Sequence, residues 1–149
     1  AYMRAGDAAK GREAFEKAVE LNQQNGGAQL NLARLYYSDK NYAEAETRAQ
    51  KAVSLMPSNP DALTMLAVVQ VTEGKLDEAL ATTRKVHDVP HEQFAIAHLV
   101  AARAYEAKRQ QTEAVREYQE FLKEAPEHPR SKEIREALEK IGQGAAAQK

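Results

Sequence analysis

GGAQLNLARLYYSDKNYAEAETRAQKAVSLMPSN, residues 26–59, decides how this chain folds, because its pattern recurs. PDALTMLAVVQVTEGKLDEALATTRKVHDVPHEQ follows at 60–93 and AIAHLVAARAYEAKRQQTEAVREYQEFLKEAPEH at 95–128, each 34 residues long, with Phe94 as one extra residue between them. Ala45, Ala79 and Ala114 fall in register, as do the pairs Leu32-Ala33, Leu66-Ala67 and Ala101-Ala102. Pro57 and Pro126 share one late position, while Pro90 stands one place early. A fixed period of this length marks stacked supersecondary units, none of which buries its apolar face alone.

Each unit reads as two helices. Leu30, Leu32, Ala33, Leu35, Tyr36 and Tyr37 recur with helical rather than alternating spacing, and Tyr42, Ala45, Ala49, Ala52, Val53 and Leu55 mark a second amphipathic helix. SDKN, EGK and KRQQ supply the turns inside the units, and PSNP and PEHP separate one unit from the next. Proline suits a first helical turn, where its missing N–H costs nothing, and Asn59 before Pro60 is an expected N-cap. The aligned alanines let paired helices approach closely.

The flanks extend the pattern. GDAAKGREAFEKAVELNQQN (6–25) matches the second half of a further unit, with Phe15 and Ala18 at its packing positions. Residues 1–5 then read as the remnant of its partner helix, as in a piece of a longer protein; a short natural first helix is the alternative. Phe15, Val19 and Leu21 are expected to lose part of their cover and to favour self-association. PRSKEIREALEKIG (129–142) reads as one amphipathic helix with the stripe Ile134, Ala137, Leu138 and Ile141, closing the array with a polar outer face. GQGAAAQK (142–149) is expected to fray.

These residues resemble the tetratricopeptide repeat, in its bacterial type. That pattern sets a small residue, an aromatic, a second small residue and a late proline at fixed places. Here they are Ala33, Tyr36, Ala45 and Pro57 in the first unit and Ala102, Tyr105, Ala114 and Pro126 in the third. The second unit keeps Ala67 and Ala79 but has Gln70 for the aromatic and His91 for the proline. The resemblance implies an all-α fold: a right-handed α-solenoid of stacked antiparallel helix pairs. It would comprise a partial unit (1–25), three full units (26–59, 60–93, 95–128) and a capping helix (129–141) in a single domain, 1–141.

Composition removes several function classes. Lys plus Arg number 21 against 22 Asp plus Glu, and the basic residues are interspersed with acidic ones, so no nucleic-acid stripe or claim on an anionic membrane is visible. Cysteine is absent, which excludes disulfides and thiolate chemistry and leaves the compartment undecided. No apolar run reaches the roughly 20 residues that span a bilayer. Carboxylates follow helix surfaces, as in the i,i+4 pairs Glu44–Arg48 and Glu13–Lys17, worth a few tenths of a kcal/mol each. No phosphate-cradling glycine pattern and no nucleophile–base–orienter set is present, so neither an enzyme nor a cofactor is expected.

VHDVPHEQFAIAH (86–98) holds three of the four histidines. His87 and His91 at i,i+4 would suit a divalent metal on one helix face. Pro90 pushes Val89 out of the helical region, so the helix is expected to end near Asp88, with His91 in the joint and His98 in the next helix. No carboxylate close in sequence completes a ligand spacing. The expectation is a joint with Phe94 as an additional core plug and no metal.

The resemblance places binding on the concave face, which the first helix of each unit lines. Carried onto this chain, the lining residues are Leu30, Asn31, Arg34 and Tyr37, then Thr64, Met65 and Val68, then Leu99, Val100 and Arg103, with Asp61, Ile96 and Glu106 beside them. The lysine–asparagine clamp by which some members hold a peptide carboxylate is matched only at Asn31. Arg34 and Arg103 are expected to set the direction of an apolar, acidic segment. If the register is off by one face, several of these residues belong instead to the core. The expected function is a non-enzymatic protein–protein interaction scaffold. Alternatives are a structural or oligomerisation module joining through its ends, or an accessory domain of a larger protein.

Overall fold

The computed structural model describes residues 5–88 and 95–146, and every regular element in them is a helix. In chain order these are α1 (Ala5–Leu21), α2 (Gly26–Ser38), α3 (Tyr42–Leu55), α4 (Pro60–Thr72), α5 (Leu76–Asp88), α6 (Ala95–Ala107), α7 (Gln111–Glu124) and α8 (Ser131–Ala146). Each helix packs on its chain neighbours, and α4 also lies against both α2 and α6. The result is an all-α helical repeat solenoid.

Local chemistry sets the boundaries. Asn25, Asn41 and Asn59 each cap the following helix by accepting from a backbone N–H three residues on, those of Ala28, Glu44 and Ala62. Pro60 opens α4, as its fixed φ permits. The turns inside the three units close alike. Asn41, Lys75 and Gln110 donate backbone hydrogen bonds to the carbonyls of Tyr36, Gln70 and Tyr105 at 2.8–2.9 Å. The residue before each donor is left-handed: Lys40 (φ 62°), Gly74 (φ 77°) and Arg109 (φ 60°). This six-to-one closure satisfies the helix's last carbonyls and turns the chain back for the second helix of the pair.

The in-register alanines are the closest-packed points. Ala33, Ala45, Ala67, Ala79, Ala102 and Ala114 are all 0% exposed. Larger residues fill the space around them: Leu32, Leu63, Val69, Val86 and Phe121 are fully buried, each contributing roughly 1.5–3 kcal/mol of hydrophobic stabilisation.

The ends differ from expectation in two respects. Val19 is buried against Ala28 and Leu32, with Phe15, Ala18 and Tyr36 partly buried around them. Leu21 alone of the three apolar residues singled out there stands exposed, at 81%. Tyr36 Oη donates to Glu16, and Arg12, set over the Tyr36 ring, pairs with Asp39. At the other end Ile134 and Leu138 of α8 close over Leu99, Tyr118 and Phe121. The helix does not stop at Gly142 but continues to Ala146. A glycine costs about 1 kcal/mol in a helix without forbidding it, and the alanines that follow are the best helix formers. Phe94 and His91 lie outside the described residues.

Candidate binding groove

Helices α2, α4 and α6, the first of each full pair, lie side by side. Their shared face carries a cavity of about 380 Å³ lined by Tyr37, Val68, Ile96, Leu99, Val100, Arg103, His128 and Arg130. The floor is apolar: Leu99 and Val100 are mostly buried beneath it, while Ile96 is 36% exposed. Arg103, His128 and Arg130 form the rim, and among the described residues no carboxylate lines the cavity. Glu106, one turn beyond Arg103, accepts a hydrogen bond from the Tyr118 hydroxyl at 2.6 Å. Tyr37 is held in place by a 3.0 Å hydrogen bond between its hydroxyl and that of Thr72, and by a tilted ring contact with Tyr42 at 5.4 Å.

Five of the ten residues named from sequence therefore meet: Tyr37, Val68, Leu99, Val100 and Arg103. Leu30 does not reach the groove; it is buried with Ala52 and Ala62, and Met65 packs partly over them. Thr64 is also buried, 9% exposed. Asn31 and Arg34 sit at the first-unit edge, joined by a 3.4 Å hydrogen bond. Arg34 already faces a carboxylate of its own chain, Asp61 at 3.8 Å, an exposed contact of small energetic worth. The anion-seeking end of the groove is thus Arg103 with Arg130 and His128. The last two belong to the joint before α8, which a register built on the first helix of each pair does not sample.

A larger depression of about 590 Å³ lies between α1 and α3. Val19 lines it together with the side chains of Gln23, Gln29, Arg48, Gln50 and Lys51. Among the described residues no helix is long and apolar enough to cross a membrane.

Models of the tetratricopeptide repeat match residues 1–60, 37–102 and 97–128. A stretch of 93 residues, 62% of the chain, is 33% identical to cellulose synthase operon protein C of Pseudomonas fluorescens; the match spans only 7% of that protein's length. Among solved structures, MamA superposes with a TM-score of 0.79 at 17% identity, covering 97% of this chain and 87% of MamA. A tetratricopeptide repeat protein from Parabacteroides merdae gives 0.79 at 19% identity, covering 96% of this chain and 56% of that one. At these identities the structural likeness is one of fold.

Proposed function

Because the chain belongs to the tetratricopeptide-repeat family, whose repeats mediate protein–protein interaction, we propose that its concave groove binds a partner segment presenting one large apolar side chain beside acidic groups. The observation that carries this reading is the pairing of an apolar floor with Arg103, Arg130 and His128 at one rim and, among the described residues, no lining carboxylate. Burial of an apolar side chain on Val68, Ile96 and Val100 supplies affinity, and forked guanidinium contacts orient the chain. Met65 is partly buried packing against Leu30, Ala52 and Ala62 rather than an anchor. In keeping with the family's typically non-catalytic character, we read the chain as a scaffold without enzymatic activity.

Fluorescence anisotropy with short labelled peptides carrying one phenylalanine and two aspartates tests the reading. Affinity is expected on the order of 10–100 µM, typical of a short groove. Arg103→Glu with Arg130→Glu should weaken it at least fivefold, and added salt should weaken it in the parent. Equal binding of peptides with lysine in place of aspartate would reject the acidic component.

A second reading, a module that joins through its solenoid ends, rests on the exposed Leu21. A solution mass that rises with concentration and falls back in Leu21→Lys would favour it. The match to a small part of a much longer protein supports either role within a larger chain.

A further inference from the structure

The interfaces between successive units can be compared position by position, and the last of the three that a full unit makes with the unit before it differs in kind. At the first, the equivalent residues are Val19, Gln29 and Arg48, which border one depression, with Arg48 donating to Gln29 at 3.4 Å. At the second they are Val53, Leu63 and Thr82; Val53 packs on buried Leu63, and Thr82 turns to Gln70. At the third they are His87 from the last turn of α5, His98 from α6 and Glu117 from α7. An interface built elsewhere in the array from aliphatic, amide, hydroxyl and guanidinium groups here holds two imidazoles and a carboxylate.

These groups converge. One ligand atom from each of His87, His98 and Glu117 lies within 4.8 Å of the other two. The two imidazole rings are 4.3 Å apart between centroids. His98 Nδ1 is 2.8 Å from Glu117 Oε2, and on the far side of the ring Nε2 is 3.5 Å from Glu124 Oε1. The other oxygen of Glu124 is buried and has no hydrogen-bond partner among the described residues. Burial by itself would lower the His98 pKa; the hydrogen bond and charge of Glu117, with Glu124 behind them, raise it instead. A half-buried imidazole between two carboxylates is a strong seat for positive charge.

We propose that His87, His98 and Glu117 form a binding site for a divalent transition-metal ion of the zinc type, seated between the second and third units. Two imidazoles and one carboxylate match the nitrogen–oxygen preference of zinc, cobalt or nickel and fall short of the six or more oxygens that calcium takes. Donors around tetrahedral zinc stand roughly 3.3 Å apart, from Zn–N bonds of about 2.0–2.1 Å, so the widest separation, within 4.8 Å, closes by up to about 1.5 Å. The solvent-exposed His87 at the helix end is the member that moves. The ion takes the place of the proton between His98 Nδ1 and Glu117, and that proton leaves to solvent. Nε2–H then faces Glu124, the carboxylate–histidine–metal arrangement that fixes the ring's tautomer and orientation. Water completes the coordination. Bound there, the ion ties α5 of one unit to α6 and α7 of the next.

Isothermal titration of the untagged full chain with zinc chloride at about pH 8, where proton competition is weak, tests the site. One ion per chain is expected, with Kd at or below about 10 µM, a rise in Tm with zinc, and a tetrahedral visible spectrum with cobalt. His98→Gln and Glu117→Gln should each weaken binding at least tenfold. His87→Val places the second interface's residue at the exposed end of α5 and tests the site without disturbing the core; it too should weaken binding at least tenfold while far-UV circular dichroism is unchanged. No heat with zinc up to about 0.1 mM, or an affinity that survives these substitutions in folded protein, would overturn the assignment.

Discussion

The Tyr118 hydroxyl donates a 2.6 Å hydrogen bond to Glu106 Oε2, tying α7 to the C-terminal end of α6. Burial of the ring raises the tyrosine's pKa above its ordinary value of 10.0; the hydrogen bond to Glu106 and that residue's charge add to the rise, as does Glu133, while Arg103 opposes it. Below about pH 10 folded and unfolded chains both keep the proton, and the contribution to stability is complete. As pH climbs, the unfolded tyrosine ionises first and stability is lost. Tyr36 acts in the same direction, through burial and its bond to Glu16.

The urea midpoint is therefore expected to fall as pH rises above about 10, and Tyr118→Phe should flatten that fall. At neutral pH the same substitution should cost about 1.5–3 kcal/mol, the worth of a hydrogen bond to a charged acceptor. Lys75 contributes later: its hydrogen bonds to Glu46 and Glu73 raise its pKa to about 12, so its share is lost only above 10.5. A midpoint that falls equally steeply in Tyr118→Phe would reject the assignment.

A second prediction concerns the one unit that lacks the aromatic. Gln70, where the neighbouring units have Tyr36 and Tyr105, is 5% exposed and accepts a 2.8 Å hydrogen bond from the hydroxyl of Thr82, itself 6% exposed. Gln70→Leu strands that hydroxyl in the interior and should cost about 1–3 kcal/mol; Thr82→Val strands the amide similarly. The double variant removes both polar groups and should lose less than the sum by about 1 kcal/mol or more. Strict additivity in chemical denaturation would show that the two side chains do not depend on each other.

The repeat was legible because close approach of paired helices needs a small residue at the same two places in every unit, and that demand is written locally. Gln70 was visible as a departure, but its partner twelve residues away was not. The groove was half legible. One residue of helix rotation is about 100°, enough to carry Leu30 and Thr64 from the lining into the core while Tyr37 and Val68 stay on it. His128 and Arg130 reach the groove from a joint, where helical periodicity says nothing. The convergence of His87 with His98 and Glu117 joins three helices, so no ligand spacing along the chain announces it. The pairing weighed from sequence, His87 with His91, involves a residue outside the described ones.

The last prediction concerns the turns. Lys40, Gly74 and Arg109 occupy one position in three successive units and share a left-handed backbone, yet only one is glycine. For a residue with a side chain this region costs roughly 1–2 kcal/mol. A Cβ added at Gly74 would meet nothing within 4 Å, so Gly74→Ala probes the backbone alone and should destabilise by about 1 kcal/mol. Lys40→Gly and Arg109→Gly relieve the same strain, but each gives up about 0.5–1 kcal/mol to the greater freedom of the unfolded chain. They should therefore be neutral or stabilising by less than about 1 kcal/mol. Urea midpoints of the three variants settle the matter. A Gly74→Ala chain as stable as its parent would mean that the turn accepts a side chain without strain.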